Sequence, residues 1–103
     1  MSHRLEALKR LLEQDPANEL ARYGLAMEYA RAGEWEQAAE HLEALLEVNP
    51  DYAAAYFQLG QVLEKLGRIE QARQTYRLGI QVHERQGNQQ ARRELERALQ
   101  LLG

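Results

Sequence analysis

The chain has 103 residues, of which 16 are acidic and 13 are basic, giving a formal charge of −3. This length suits one small domain, and the lack of cysteine excludes disulfides and thiolate metal sites. The charge balance argues against a nucleic-acid module, which usually carries a basic face. No apolar run approaches the roughly 18 residues of a membrane span, and the N-terminus lacks the apolar segment of a secretory signal. We therefore expect a cytoplasmic protein that binds neither nucleic acid nor membranes.

Alanine, leucine, glutamate, glutamine and arginine dominate the composition, which predicts an all-α chain. The first predicted helix covers residues 2–15 and carries Leu8 and Leu11 on an apolar face. It ends before Pro16, because proline disfavours helical backbone at the residue that precedes it. Helical spacing then predicts five further helices, over residues 18–32, 35–48, 52–66, 69–85 and 88–102. Their connections are short, so neighbouring helices should pack antiparallel.

The sequence repeats with a period of about 34 residues, a length typical of helical repeat proteins. Shifting the chain by one period superposes Pro16 on Pro50, Gly33 on Gly67, and the tripeptide EQA at residues 36–38 on the same tripeptide at 70–72. Random alignment would match about one position in twenty, so we interpret the period as a structural repeat.

The period and its contents resemble the tetratricopeptide repeat family, whose pattern is W-x2-L-G-x2-Y, then A-x3-F, then P. The second unit matches this pattern at five positions: Tyr56, Leu59, Gly60, Ala72 and Tyr76. Arg22 replaces the large aromatic residue in the first unit, and Glu84 stands where the closing proline of the second belongs. The resemblance covers residues 19–86, with residues 5–18 as the tail of an earlier unit.

The resemblance implies an antiparallel helix-turn-helix solenoid that forms a single domain over residues 1–103. We expect an N-terminal half-repeat helix at 2–15, a first repeat at 19–52, a second repeat at 53–86 and a capping helix at 88–102. Small residues such as Gly60 should allow the paired helices to approach closely. In the last helix, apolar residues from Ala91 to Leu102 form one stripe, displaced by one residue from the repeat. This stripe suits a helix that covers the end of the stack, although it could instead dock another molecule's helix.

Little in the sequence predicts catalysis or cofactor binding. The three histidines are far apart, and none has a second ligand at a recognised metal-site spacing. Ser2 is the only serine and Thr75 is the only threonine, and there is no cysteine nucleophile. We therefore predict no enzyme activity, no metal and no cofactor.

The family generally binds peptides or partner proteins in a concave groove, which the first helix of each pair lines. The resemblance places in that groove Leu20, Tyr23 and Met27 from the first unit and Phe57, Gln58 and Gln61 from the second. Tyr23 and Phe57 are separated by one period, so we expect their rings to stand beside each other while Tyr56 packs inward. The alternative is that these two rings only pack on each other or on the first helix.

The sequence is compatible with three functions. The leading hypothesis is a protein-interaction module or scaffold that binds a peptide or helix of a partner in the aromatic and apolar groove. The alternative is a structural self-association unit, such as a homodimer, with no separate ligand. The third is a domain that regulates or scaffolds an enzyme supplied by another chain.

Overall fold

The computed structural model describes residues 3–103, and this part of the chain folds into six α-helices. They are α1 (His3–Gln14), α2 (Glu19–Arg31), α3 (Trp35–Val48), α4 (Ala54–Lys65), α5 (Ile69–Gln86) and α6 (Gln89–Leu102). The predicted all-α solenoid is confirmed, and the predicted helix ends agree with these bounds to within two residues. The predicted start of the first helix, Ser2, lies outside the described residues.

Short turns fold each helix back against the one before it, so consecutive helices pack together along the stack. Gly33 and Gly67 end α2 and α4, and both have φ of 75°, a left-handed conformation that favours glycine. The amide of Gly33 donates to the carbonyl of Ala30 and that of Gly67 to Glu64, both at 3.0 Å. The two turns therefore repeat the same geometry one unit apart.

Small residues lie where the helices approach most closely. Ala26, Ala38 and Ala72 have no exposed surface. A Cβ atom at Gly60 would lie 2.1 Å from Cε1 of Tyr76, and one at Gly79 would lie 2.6 Å from Cβ of Tyr56. Both glycines are thus required by close packing between α4 and α5.

The last helix covers the end of the stack with the displaced apolar stripe. Leu95 and Ala98 are buried, while Leu99 and Leu102 are half-buried against the main core. Leu95 also reaches the position of Gly79, where its Cδ1 would lie 3.0 Å from an added Cβ atom. Among residues 3–103, no helix combines the length and the apolar character that crossing a membrane requires.

Candidate partner-binding surface

The residues predicted to form one groove divide mainly between two pockets. Leu20, Tyr23 and Met27 line a pocket of about 540 Å³ between α1 and α2, here called the N-terminal pocket. Phe57 and Gln61 line a pocket of about 340 Å³ between α4 and α6, here called the C-terminal pocket. The first helix of each repeat therefore offers its outward side chains to a different cavity.

The walls of the N-terminal pocket come from the apolar faces of two antiparallel helices. Leu8 and Leu11 project from α1, and Leu20 and Met27 project from α2. Gly24 faces α1, where an added Cβ atom would lie 3.3 Å from Cδ2 of Leu8. Leu11 and Leu20 nevertheless remain 43% and 73% exposed, so the pocket presents apolar surface to solvent.

Two arginines line the pocket beside these leucines. Arg4 and Arg31 both pair with the carboxylate of Glu28, with a distance of 2.9 Å for the Arg4 Nε–Oε1 contact. The Glu28 side chain is only 10% exposed, whereas those of Arg4 and Arg31 are 66% and 63% exposed. The guanidinium groups therefore face solvent more than the carboxylate does, which makes this side of the pocket electropositive.

The C-terminal pocket has a more mixed character. Phe57 and Leu101 supply apolar surface, while Glu64, Glu94 and Arg97 supply charged groups. The ring of Phe57 packs against Tyr76, with 6.3 Å between the ring centroids. Carboxylates outnumber cations in this lining, in contrast with the N-terminal pocket.

A buried hydroxyl group fixes two side chains at the edge of the C-terminal pocket. Tyr76 is fully buried; its hydroxyl donates to Oε2 of Glu64 and accepts a 2.7 Å hydrogen bond from Nε2 of Gln61. Burial, followed by the hydrogen bond to Glu64, raises the pKa of Tyr76 above its usual value. Gln61 is exposed, but its side chain is held in place because its amide donates a hydrogen bond to the buried hydroxyl of Tyr76.

Tyr23 and Phe57 pack on different tyrosine rings. The ring of Tyr23 lies 5.5 Å from that of Tyr52, at the end of the first repeat, whereas Phe57 packs on Tyr76. Burial and the neighbouring Tyr52 raise the pKa of Tyr23, and a hydrogen bond with Gln58 opposes this rise. Each ring therefore has a tyrosine partner of its own, and the expectation that Tyr23 and Phe57 stand beside each other stays a prediction.

The part of the surface that α1 supplies was missed by reasoning from the sequence. The apolar spacing places Leu8 and Leu11 on the core face of the first helix, and nothing in it singles out Arg4 or Arg31. The repeat does contain a signal from which the pocket could have been predicted. Leu8 and Leu11 correspond to Leu42 and Leu45 one unit later. Those two are buried in the main core, to which both α2 and α4 contribute, whereas among the described residues no helix precedes α1 as α2 precedes α3.

The described side chains at this surface offer apolar contact, hydrogen bonding and charge. Within residues 3–103, no group of three or more histidine and carboxylate side chains could hold a metal ion. His41, which lies beside α2, stacks on Tyr29 with 5.6 Å between ring centroids and contacts Nη1 of Arg22 through Nδ1 at 3.2 Å. These contacts give it a structural role.

Comparison with known proteins agrees with this architecture. A profile of the tetratricopeptide repeat matches residues 23–82. A TPR repeat-containing protein of Pseudomonas aeruginosa is 35% identical over 91 residues, which cover 88% of this chain and 87% of that protein.

Solved structures show the same likeness. A protein of Bordetella parapertussis, solved in solution, is 33% identical with a TM-score of 0.85, and the match covers 99% of this chain and 89% of that one. The crystal structure of a tetratricopeptide repeat domain protein from Salinibacter ruber is 34% identical with a TM-score of 0.78, covering 82% and 94% of the two chains. This chain belongs to the tetratricopeptide repeat family, whose members generally act as non-enzymatic scaffolds for protein interaction.

Proposed function

We propose that this chain is a protein-interaction module that binds a peptide or helix of a partner protein on the outward face of α2 and α4. The observation that carries the proposal is the partial burial of the aromatic and methionine side chains on this face. Tyr23, Met27 and Phe57 are half-buried and held by the core, yet each keeps surface open to a ligand. Rigid aromatic rings and an adaptable methionine suit apolar anchors from a partner.

Binding rather than catalysis is the proposed activity, and proteins rather than nucleic acids or membranes are the proposed partners. The chain carries 16 acidic and 13 basic residues, so no large positive excess favours phosphate backbones or anionic lipids. Gln58 and Gln61 supply amide groups at the same face, which can hydrogen-bond an extended or helical backbone end. A peptide with apolar anchors fits this set of groups.

A display selection tests this proposal, because a peptide library samples many possible partner sequences at once. Peptides selected against the wild-type protein should bind the Tyr23→Ala/Phe57→Ala variant at least about tenfold more weakly, since each ring contributes buried apolar area. Val48→Ala is a matched control, because Val48 is an exposed apolar residue on α3, outside the face. Selected peptides that bind the double variant as tightly as the wild type would overturn the proposed face.

Self-association is the second candidate function, and exposed leucines near both ends of the stack favour it. Leu20 on α2 is 73% exposed and Leu101 on α6 is 76% exposed. Contact between these ends would join copies head to tail. Light scattering at high micromolar concentration distinguishes the candidates, since a strict monomer contradicts self-association and leaves partner binding intact.

A further inference from the structure

The N-terminal pocket reproduces, one unit earlier, a surface that a helix covers elsewhere in the chain. Leu8 and Leu11 on α1 correspond to Leu42 and Leu45 on α3, one period later. Leu45 is 1% exposed, whereas Leu11 is 43% exposed. The same two apolar positions are therefore used in both units, but they are covered fully only in the later one.

The core that encloses the later pair includes residues of the preceding helix, α2, as well as residues of the following helix, α4. Leu42 and Leu45 belong to the main core together with Ala26 of α2, and Tyr23 and Met27 of the same helix pack against that cluster. Since α1 repeats the apolar positions of α3, the shape of the N-terminal pocket suits a helix that packs on α1 as α2 packs on α3. Leu20 and Met27 add a second apolar wall to that position.

The charge of the pocket indicates what kind of helix fits. Arg4 and Arg31 line it, no carboxylate of the described residues does, and Glu28, which pairs with both arginines, is itself largely covered. A helix with glutamate or aspartate along its flanks would meet these guanidinium groups favourably. Symmetric pairing of two copies through this pocket would instead bring like charges together, which disfavours a second copy as the occupant.

We propose that the N-terminal pocket binds an amphipathic α-helix of a partner protein, apolar on one face and acidic along its flanks. The apolar residues of this helix, spaced by three and four, contact Leu11, Leu20 and Met27. Its carboxylates pair with Arg4 and Arg31. The inference rests on the proposed function and deepens it, because it names the class of partner and the end of the stack at which it binds.

Two synthetic peptides of about 18 residues, five turns of helix, provide the probe. Both carry the same stripe of leucine and alanine, but one has glutamates on its flanks and the other has lysines. Fluorescence anisotropy with labelled peptide should show the acidic peptide binding at least about tenfold tighter at low salt. The difference should shrink at about 0.5 M salt, where charges on the surface are screened.

Variants of the full chain locate the site. Leu11→Gln/Leu20→Gln should weaken binding of the acidic peptide by about tenfold or more, because each leucine loses apolar area buried on binding. Val48→Gln/Leu78→Gln is the matched control, since these apolar side chains are also exposed, at 75% and 52%, and line neither of the two pockets. Circular dichroism confirms that both double variants keep their helix content.

Several results would overturn the inference. These are the absence of measurable binding by the acidic peptide, equal binding of the acidic and lysine peptides, equal effects of the two double variants, or a dimer that forms through Leu11 and Leu20. A partner from the display selection that depends on Phe57 but not on Leu11 and Leu20 would overturn this inference alone. The proposed function would then stand, with its site at the C-terminal pocket.

Discussion

The hydroxyl of Tyr56 donates a 2.5 Å hydrogen bond to the carbonyl oxygen of Pro50, tying the start of α4 to the turn before it. One repeat earlier, Nη2 of Arg22 donates to the carbonyl oxygen of Pro16 at 3.4 Å. Arg22 and Tyr56 are separated by one period, as are the two prolines. Arg22 thus makes, in the first repeat, the contact that the aromatic Tyr56 makes in the second, although its hydrogen bond is longer and more exposed.

Replacing Tyr56 separates the two contributions of this residue. Tyr56→Phe should lower the free energy of unfolding by about 1 kcal/mol, because it removes one hydrogen bond and keeps the ring. Tyr56→Ala should lower it by about 3 kcal/mol or more, because the ring is buried. Urea unfolding followed by circular dichroism measures both values. Arg22→Ala removes the exposed counterpart bond together with the contact to His41, and should cost less than about 2 kcal/mol. A loss as large as that of Tyr56→Ala would refute the proposed difference between units.

Two mid-helix glycines should respond oppositely to alanine. Gly60→Ala places a Cβ atom 2.1 Å from Cε1 of Tyr76, whose ring is buried and hydrogen-bonded, so we expect a loss of about 1–3 kcal/mol. Gly24→Ala meets only the flexible end of Leu8 at 3.3 Å, and alanine gains up to about 1 kcal/mol in helix propensity. Gly24→Ala should therefore be neutral or stabilising by thermal and urea unfolding. Equal destabilisation by both would show that packing against Tyr76 is not the cause.

His41 should make stability depend on pH below neutrality. Burial lowers its pKa, followed by the positive charge of Arg22. The folded state then binds this proton less readily than the unfolded state, whose histidine pKa is about 6.5. The stability that the neutral His41 side chain contributes to the folded state is fully present above pH about 6.5. It is lost as the pH falls towards the lower pKa of His41 in the folded state.

The test compares the wild type with His41→Gln by urea unfolding between pH 5 and 7, a window set about the unfolded pKa. The wild type should lose more stability across this range than the variant, because the variant lacks the titrating group. Identical pH dependence in the two proteins would contradict the assigned role of His41.

Phe57 and Tyr23 should tolerate truncation better than Tyr56. Both are half-buried, and they pack on Tyr76 and Tyr52 respectively, so alanine at either position should cost about 1–2 kcal/mol rather than the larger loss at Tyr56. Unfolding of the two single variants measures this directly. A loss of several kcal/mol would assign the ring to the core and remove it from the binding surface.

The repeat period was enough to predict the six helices, the inward position of Tyr56 and the tight packing at Gly60. These features depend on spacing along one helix, which the sequence shows directly. The division of the groove into two pockets was not predictable in this way. It depends on contacts of Phe57 with Tyr76 and of Tyr23 with Tyr52, which join residues distant in the sequence. The repeat pattern assigns Tyr76 to the core without showing which outward ring it supports.

The site of helix binding can be mapped by NMR, by following the backbone amide signals of isotope-labelled protein as peptide is added. With the acidic amphipathic peptide, we predict the largest shifts around Leu8, Leu11, Leu20 and Gly24, at the crossing of α1 and α2. Shifts centred instead on α4 and α6 around Phe57 and Leu101, or spread evenly over the chain, would contradict the assignment of the N-terminal pocket as the site of helix binding.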